Sequence, residues 1–144
     1  MATSFTSRLG TAPEEGVKAP VKAASIGNLT LSGEQTISTV GGAGTLAASS
    51  GDRVLVRAQT VPAENGIYTV QTSAWTRTSD FNASNDIVNG VLIPDQNSRD
   101  LFITNVSGSW TPGTTAITFD IIDITGGLSV ITPGAVLFGS AGGE

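Results

Sequence analysis

Gly51-Asp52-Arg53-Val54-Leu55-Val56-Arg57 and Asn65-Gly66-Ile67-Tyr68-Thr69-Val70 decide how this chain folds. Each run opens on a turn signal and continues in strict alternation. Val54 and Val56 share one face of a strand, with Arg53, Leu55 and Arg57 on the other; Ile67 and Thr69 oppose Tyr68 and Val70. Gly51-Asp52 turns the chain into the first strand, and Asn65-Gly66 supplies the positive φ angles of a tight hairpin turn. Two such strands make an antiparallel pair, and the neighbouring sequence repeats the grammar.

Working outward, Leu29-Thr30-Leu31 and Gln35-Thr36-Ile37-Ser38 alternate around a turn at Ser32-Gly33-Glu34. Val40-Gly41-Gly42-Ala43-Gly44 reads as a flexible loop. Ala74 to Thr78, Ile87 to Ile93, Leu101 to Thr104, Ala116 to Phe119 and Ile121 to Ile124 are further strands. Pro94 ends one of them or holds it to a sheet edge, and Trp110-Thr111-Pro112-Gly113 reads as a turn. Glycines interrupt every window in which a helical face would have to form. The pattern predicts an all-β fold: a small antiparallel sandwich or barrel of short strands with an extended N-terminal arm. Residues 1–20 form the arm, 21–125 the β-module, and 126–144 a glycine-broken linker or the start of a shaft.

Composition narrows the function. Of 144 residues 18 are Gly and only 13% are charged, about half the usual share for a soluble domain. So sparse a charge suggests that much of the surface is covered, for example by copies of the same chain. Seven basic residues are scattered among twelve acidic ones and form no run, which argues against binding nucleic acid. No apolar stretch approaches the ~20 residues of a membrane span, and the residues after Met1 lack the apolar core of a secretory signal. A protein made in the cytoplasm is expected.

Chemistry is scarce. The chain has no His and no Cys, so a Ser-His-Asp triad, a His-ligated zinc and a thiolate nucleophile are unavailable. No glycine-rich phosphate loop ends in Lys-Ser or Lys-Thr. Asp80-x-Asn82-x-Ser84-x-Asp86 sets oxygen ligands on alternate residues, as a calcium loop does. Its sixth position is Asn85 where Gly belongs, and its twelfth is Val91 where Glu belongs. An ordinary polar β-loop is the better reading, and no catalytic residue, metal or cofactor is expected.

The ordered set from Val21 to Phe119 resembles a β-module of bacteriophage tail fibres and related virion appendages. It comprises Asn28 to Ile37, Gly51 to Val56, Pro62 to Tyr68, Ala74 to Arg77 and Gly113 to Phe119. Two segments depart from the pattern: Ser38 to Gly44 is richer in glycine, and Pro94 to Ser109 is idiosyncratic. Thr132 to Gly143 resembles the linker that leads into the shaft of longer fibres. The resemblance implies a virion structural protein, commonly a homotrimer, and brings no catalytic residues. The expected partners are sister copies and other virion proteins of the capsid, portal or tail. Phe5, Leu9 and Val17 are candidate contacts of the attachment arm; Val136, Leu137 and Phe138 are candidates for a trimer axis. Two other jobs compete with a trimeric fibre or fibre-anchoring subunit. One is capsid decoration (cement). The other is a module that binds host-surface carbohydrate, which would stack sugars on Tyr68, Trp75 or Trp110.

Overall fold

The computed structural model describes residues 16–122. Nine short strands follow one another: β1 (Ala23–Ala24), β2 (Gln35–Ser38), β3 (Thr45–Ala48), β4 (Arg53–Val56), β5 (Gly66–Thr69), β6 (Thr76–Arg77), β7 (Leu92–Pro94), β8 (Leu101–Asn105) and β9 (Thr118–Ile122). Single 3-10 turns occupy Pro62–Glu64 and Ser84–Asp86, and among the described residues there is no α-helix. The strands form three small sheets, ordered β1-β4-β5-β6, β2-β3 and β7-β8-β9.

Between the named strands, pairing is antiparallel except at one place. β1 runs parallel to β4, with Ala23 opposite Val54 and Ala24 opposite Leu55. A parallel pair needs a long crossover, and the whole segment from Ser25 to Asp52, containing the β2–β3 hairpin, supplies it.

The segment Val17–Ser25 does more than form β1. Val17 and Val21 bridge Leu92 and Asp95 of the β7 side in parallel. Lys22 N–H then donates to Arg53 O at 2.7 Å and Ser25 N–H to Leu55 O at 2.9 Å. Ser25 finally bridges Thr39. One stretch of nine residues therefore joins all three sheets as a seam.

The β4–β5 pair is buried on both faces. Leu55 and Ile67, opposite each other in register, belong to a core with Val21, Ile93, Phe81, Phe102, Trp110 and Phe119. Val54, Val56, Tyr68 and Val70 belong to a second core with Ile37, Ala48 and Trp75, flanked by Leu29, Leu31 and Leu46. The alternation of Arg53–Arg57 thus divides two apolar environments instead of core from solvent.

Several expected elements take another form. Asn65-Gly66 is not a tight hairpin turn. The β4–β5 connection runs from Arg57 to Asn65 and includes the Pro62–Glu64 turn, and Asn65 itself is extended at φ −63° and ψ 151°. The Asn65 side chain is buried and ties the connection down, accepting from Gln59 N–H at 2.9 Å and donating to Ile117 O at 2.8 Å. A Cβ at Gly66 would meet the Arg77 guanidinium, so a larger residue there would displace that side chain from its place. Leu29-Thr30-Leu31 forms no strand; it lies irregularly along the second core. Of Ile87 to Ile93 only the end is strand, since Asn89-Gly90 makes a turn. Of the two strands expected at Ala116 to Phe119 and Ile121 to Ile124, the described residues join Thr118 to Ile122 in a single strand, β9. Pro94 does close β7, the outer strand of its sheet as hydrogen-bonded.

Candidate functional site

Of the residues picked out for attachment, Phe5 and Leu9 lie outside the described residues, as do Val136, Leu137 and Phe138. Val17 is 47% exposed, and its neighbour Lys18 donates its backbone N–H to Leu92 O at 2.8 Å. The arm root is thus the first rung of the seam.

A cleft of about 450 Å³ opens beside this root, lined by Val17, Lys18, Ala19, Arg53, Ser79, Asp80 and Asp86. Its chemistry centres on a two-pronged ion pair. Arg53 Nη1 donates to Asp80 Oδ1 at 2.9 Å and Nη2 to Oδ2 at 2.7 Å. Both Asp80 oxygens are thereby used, a geometry that adds direction as well as strength. Thr78 Oγ1 also donates to Asp80 Oδ1 at 2.7 Å, and Arg53 Nε donates to Ala19 O at 3.2 Å. Arg53 therefore clamps the arm root to the loop after β6. Burial pushes the Asp80 carboxyl up, but the hydrogen bonds from Arg53 and Thr78, with the positive charges of Arg53 and Lys18, outweigh it and hold the group below its ordinary value. Asp80 and Asp86 both accept hydrogen bonds from the chain itself, and Arg53 with Asp80 forms a latch across the cleft.

The calcium-like spacing resolves into the same latch and a turn. Asp80 is taken by Arg53. Asp86 Oδ2 accepts from the N–H groups of Asn82 at 3.0 Å and Ala83 at 2.9 Å, capping the Ser84–Asp86 turn. Among the described residues no group of three or more acidic side chains converges as metal ligands would.

The aromatic residues through which a sugar would be stacked are interior. Trp110 is fully buried and Tyr68 and Trp75 are each 6% exposed. Trp110 meets Phe81 edge to face at 5.1 Å. Trp75 Nε1 donates to Gly33 O at 2.9 Å, and Tyr68 hydroxyl to Glu64 O at 2.6 Å. A carbohydrate face built on these three rings is not present.

Arg77 was not singled out by its sequence context, yet it joins the two cores. Its guanidinium lies 5.0 Å from the Tyr68 ring centroid and 5.6 Å from that of Trp110, and it donates to Asn65 O and Ala63 O at 3.0 Å each. Burial lowers its pKa against the opposing influence of Tyr68 and Glu64. Asn97 is a second such residue. It sits in the Pro94 to Ser109 segment and grips the glycine-rich β2–β3 turn, donating to Thr39 Oγ1, Val40 O and Gly41 O at 3.1–3.2 Å and accepting from Ala43 N–H at 3.1 Å. The two segments that depart from the fibre pattern are therefore fitted to each other. Gly42, at φ +54°, has Asn97 where a Cβ would stand. Neither residue is marked by its sequence neighbours, which are polar in both cases: Thr76, Thr78 and Ser79 around Arg77, and Gln96, Ser98 and Arg99 around Asn97.

No family model, curated protein or solved structure matches this chain.

Proposed function

We propose that the chain is a structural subunit of a bacteriophage particle: a trimeric fibre or fibre-anchoring protein, attached by its N-terminal arm and projecting its β-module. The reading starts from the fibre-like order of motifs between Val21 and Phe119. The observation that carries it further is the seam. A subunit held by its N-terminal arm transmits load through the arm root, and Val17–Ser25 is hydrogen-bonded to β7, β4 and the β2–β3 hairpin in succession. A pull on the arm would meet rungs on several strands loaded together, with Arg53 clamping Ala19 beside them.

A cryo-EM map of the parent particle tests this reading. The expected result is threefold density for residues 16–122 at a fibre or fibre-anchoring position, with the arm buried against a neighbouring virion protein. Density at every capsomer would assign the chain to capsid decoration. Absence of the chain from purified particles would overturn the virion role altogether.

A further inference from the structure

Asn-Gly occurs twice in the chain, as Asn65-Gly66 and Asn89-Gly90. The dipeptide carries its own chemistry. The backbone nitrogen after an asparagine can reach the side-chain carbonyl carbon, and glycine puts no side chain in the way of ring closure. The fold treats the two pairs in opposite ways. Asn65 is 2% exposed, and both ends of its amide are bonded: Oδ1 accepts from Gln59 N–H at 2.9 Å and Nδ2 donates to Ile117 O at 2.8 Å. The space beside Gly66 is filled by the Arg77 guanidinium and the Phe81 ring. Asn89 and Gly90 are both exposed, in the turn that leads towards β7. No atom beyond its chain neighbours lies within 4 Å of where a Gly90 Cβ would stand. Asn89 Oδ1 accepts from Val106 N–H at 3.0 Å, and its Nδ2 has no hydrogen-bond partner among the described residues.

We propose that Asn89 is a site of spontaneous covalent modification, deamidation through a succinimide, and that the fold withholds Asn65 from the same reaction. The inference is independent of the subunit reading above. Gly90 N loses its proton to hydroxide and attacks Asn89 Cγ. The new N–Cγ bond closes the ring, the Cγ–Nδ2 bond breaks, and ammonia leaves with a proton taken from water. Negative charge builds on Oδ1 in this step, where the Val106 N–H already points. Gly90 N–H donates to Thr104 O at 3.0 Å, so that bond opens first, a local event at an exposed turn. Water then opens the ring. Attack at Cγ gives aspartate; attack at the main-chain carbonyl of residue 89 gives isoaspartate, in which the backbone runs through the side-chain carbon. Both products add a negative charge. Isoaspartate also lengthens the backbone just before Val91, whose N–H donates to Thr104 Oγ1 at 2.8 Å and whose carbonyl accepts from Thr104 N–H at 2.9 Å. The start of the β7–β8 pair is therefore the part of the fold that this chemistry loosens. Asn28, Asn82, Asn85, Asn97 and Asn105 are each followed by a residue with a side chain, which crowds the ring.

The test uses the full chain, incubated folded in mildly alkaline buffer near physiological temperature and, in parallel, unfolded in denaturant. Peptide mapping by mass spectrometry, with enzymatic methylation to mark isoaspartate, gives the rate at each asparagine. In the unfolded chain the two Asn-Gly pairs should react at similar rates. In the folded chain Asn65 should be slower than Asn89 by about a hundredfold or more, because a residue that reacts only through unfolding is slowed by the unfolding equilibrium. Asn89→Gln should abolish the modified peptide. Hydrogen exchange of the aged, folded protein should quicken at the Gly90 and Val91 amides and stay unchanged along β4–β5. Similar rates at the two pairs in the folded chain overturn the proposal, as does modification of any other asparagine ahead of Asn89. It is equally overturned if Asn89 reacts in the unfolded chain and not in the folded one, which would make the hydrogen bond to Thr104 O a protection.

Discussion

On one side of β4–β5, Leu55 and Ile67 pack beneath Phe81, Phe102, Trp110 and Phe119; on the other, Val54, Val56, Tyr68 and Val70 pack beneath Ile37 and Trp75. The first core is filled by volume: large rings from separate loops and strands interlock around fully buried Trp110 and Phe81. The second is smaller, and its flanking Leu29, Leu31 and Leu46 stay partly exposed. It is fastened by polar ties between distant segments: Trp75 N–H to Leu31 O, Trp75 Nε1 to Gly33 O, and Gln59 giving and taking a hydrogen bond with the Leu29 backbone. The same pair of strands thus serves a core that depends on filled space and a core that depends on matched hydrogen bonds.

Truncation should separate the two cores. Phe102→Ala opens a cavity among rings that cannot collapse into it, so equilibrium unfolding in denaturant should show a loss of about 3–5 kcal/mol. Arg77→Ala should cost about 3 kcal/mol, because it removes the guanidinium between Tyr68 and Trp110 and leaves two partly buried carbonyl oxygens without that donor. Arg77→Lys should recover less than half of that, since a lysine cannot make the flat, forked contact. Ile37→Ala should cost only about 2 kcal/mol, the low end for such a truncation, because the half-exposed leucines can close over the gap. Equal costs for Phe102→Ala and Ile37→Ala would remove the distinction between the cores.

The smallest effect concerns the latch outside both cores. Asp80 is held below its ordinary value of 3.8. A carboxyl depressed in the folded state contributes stability that is fully present above its unfolded pKa and is lost as pH falls through the depressed folded value. Unfolding free energy measured between neutral pH and about pH 2 should therefore decline below pH 4. Asp80→Asn should flatten that decline and cost about 1 kcal/mol at neutral pH, a modest figure because the pair is partly exposed.

The strands that the sequence makes legible are those whose side chains meet two different surroundings in turn. Arg53–Val56, Gly66–Thr69 and Leu101–Asn105 are of this kind. β1 and β3, Ala23–Ala24 and Thr45–Ala48, carry no such signal. Alanine has little preference for a strand, and these residues are extended because β4 and β2 offer them hydrogen bonds. Leu29-Thr30-Leu31 fails in the opposite direction: it alternates, but its backbone partners belong to Gln59 and Trp75, so it covers a core without joining a sheet. The Asn65-Gly66 pair looks like a hairpin turn because both residues suit one; tertiary contacts with Ile117 and Arg77 use them otherwise. The latch of Arg53 with Asp80 and the grip of Asn97 on the glycine turn span 27 and more than 50 residues, a separation that no local pattern encodes.

The central claim is that the N-terminal arm is rooted in the fold by the Val17–Ser25 seam, as firmly as β4 itself. Native-state hydrogen exchange measures this directly, residue by residue. The amides of Val21, Lys22 and Ser25, which donate to Pro94 O, Arg53 O and Leu55 O, should exchange only through global unfolding, with the same free energy as the amides of the β4–β5 ladder. Exchange of these three amides through a local opening well below that free energy would mean that the root peels away while the cores stay folded, and would contradict the account.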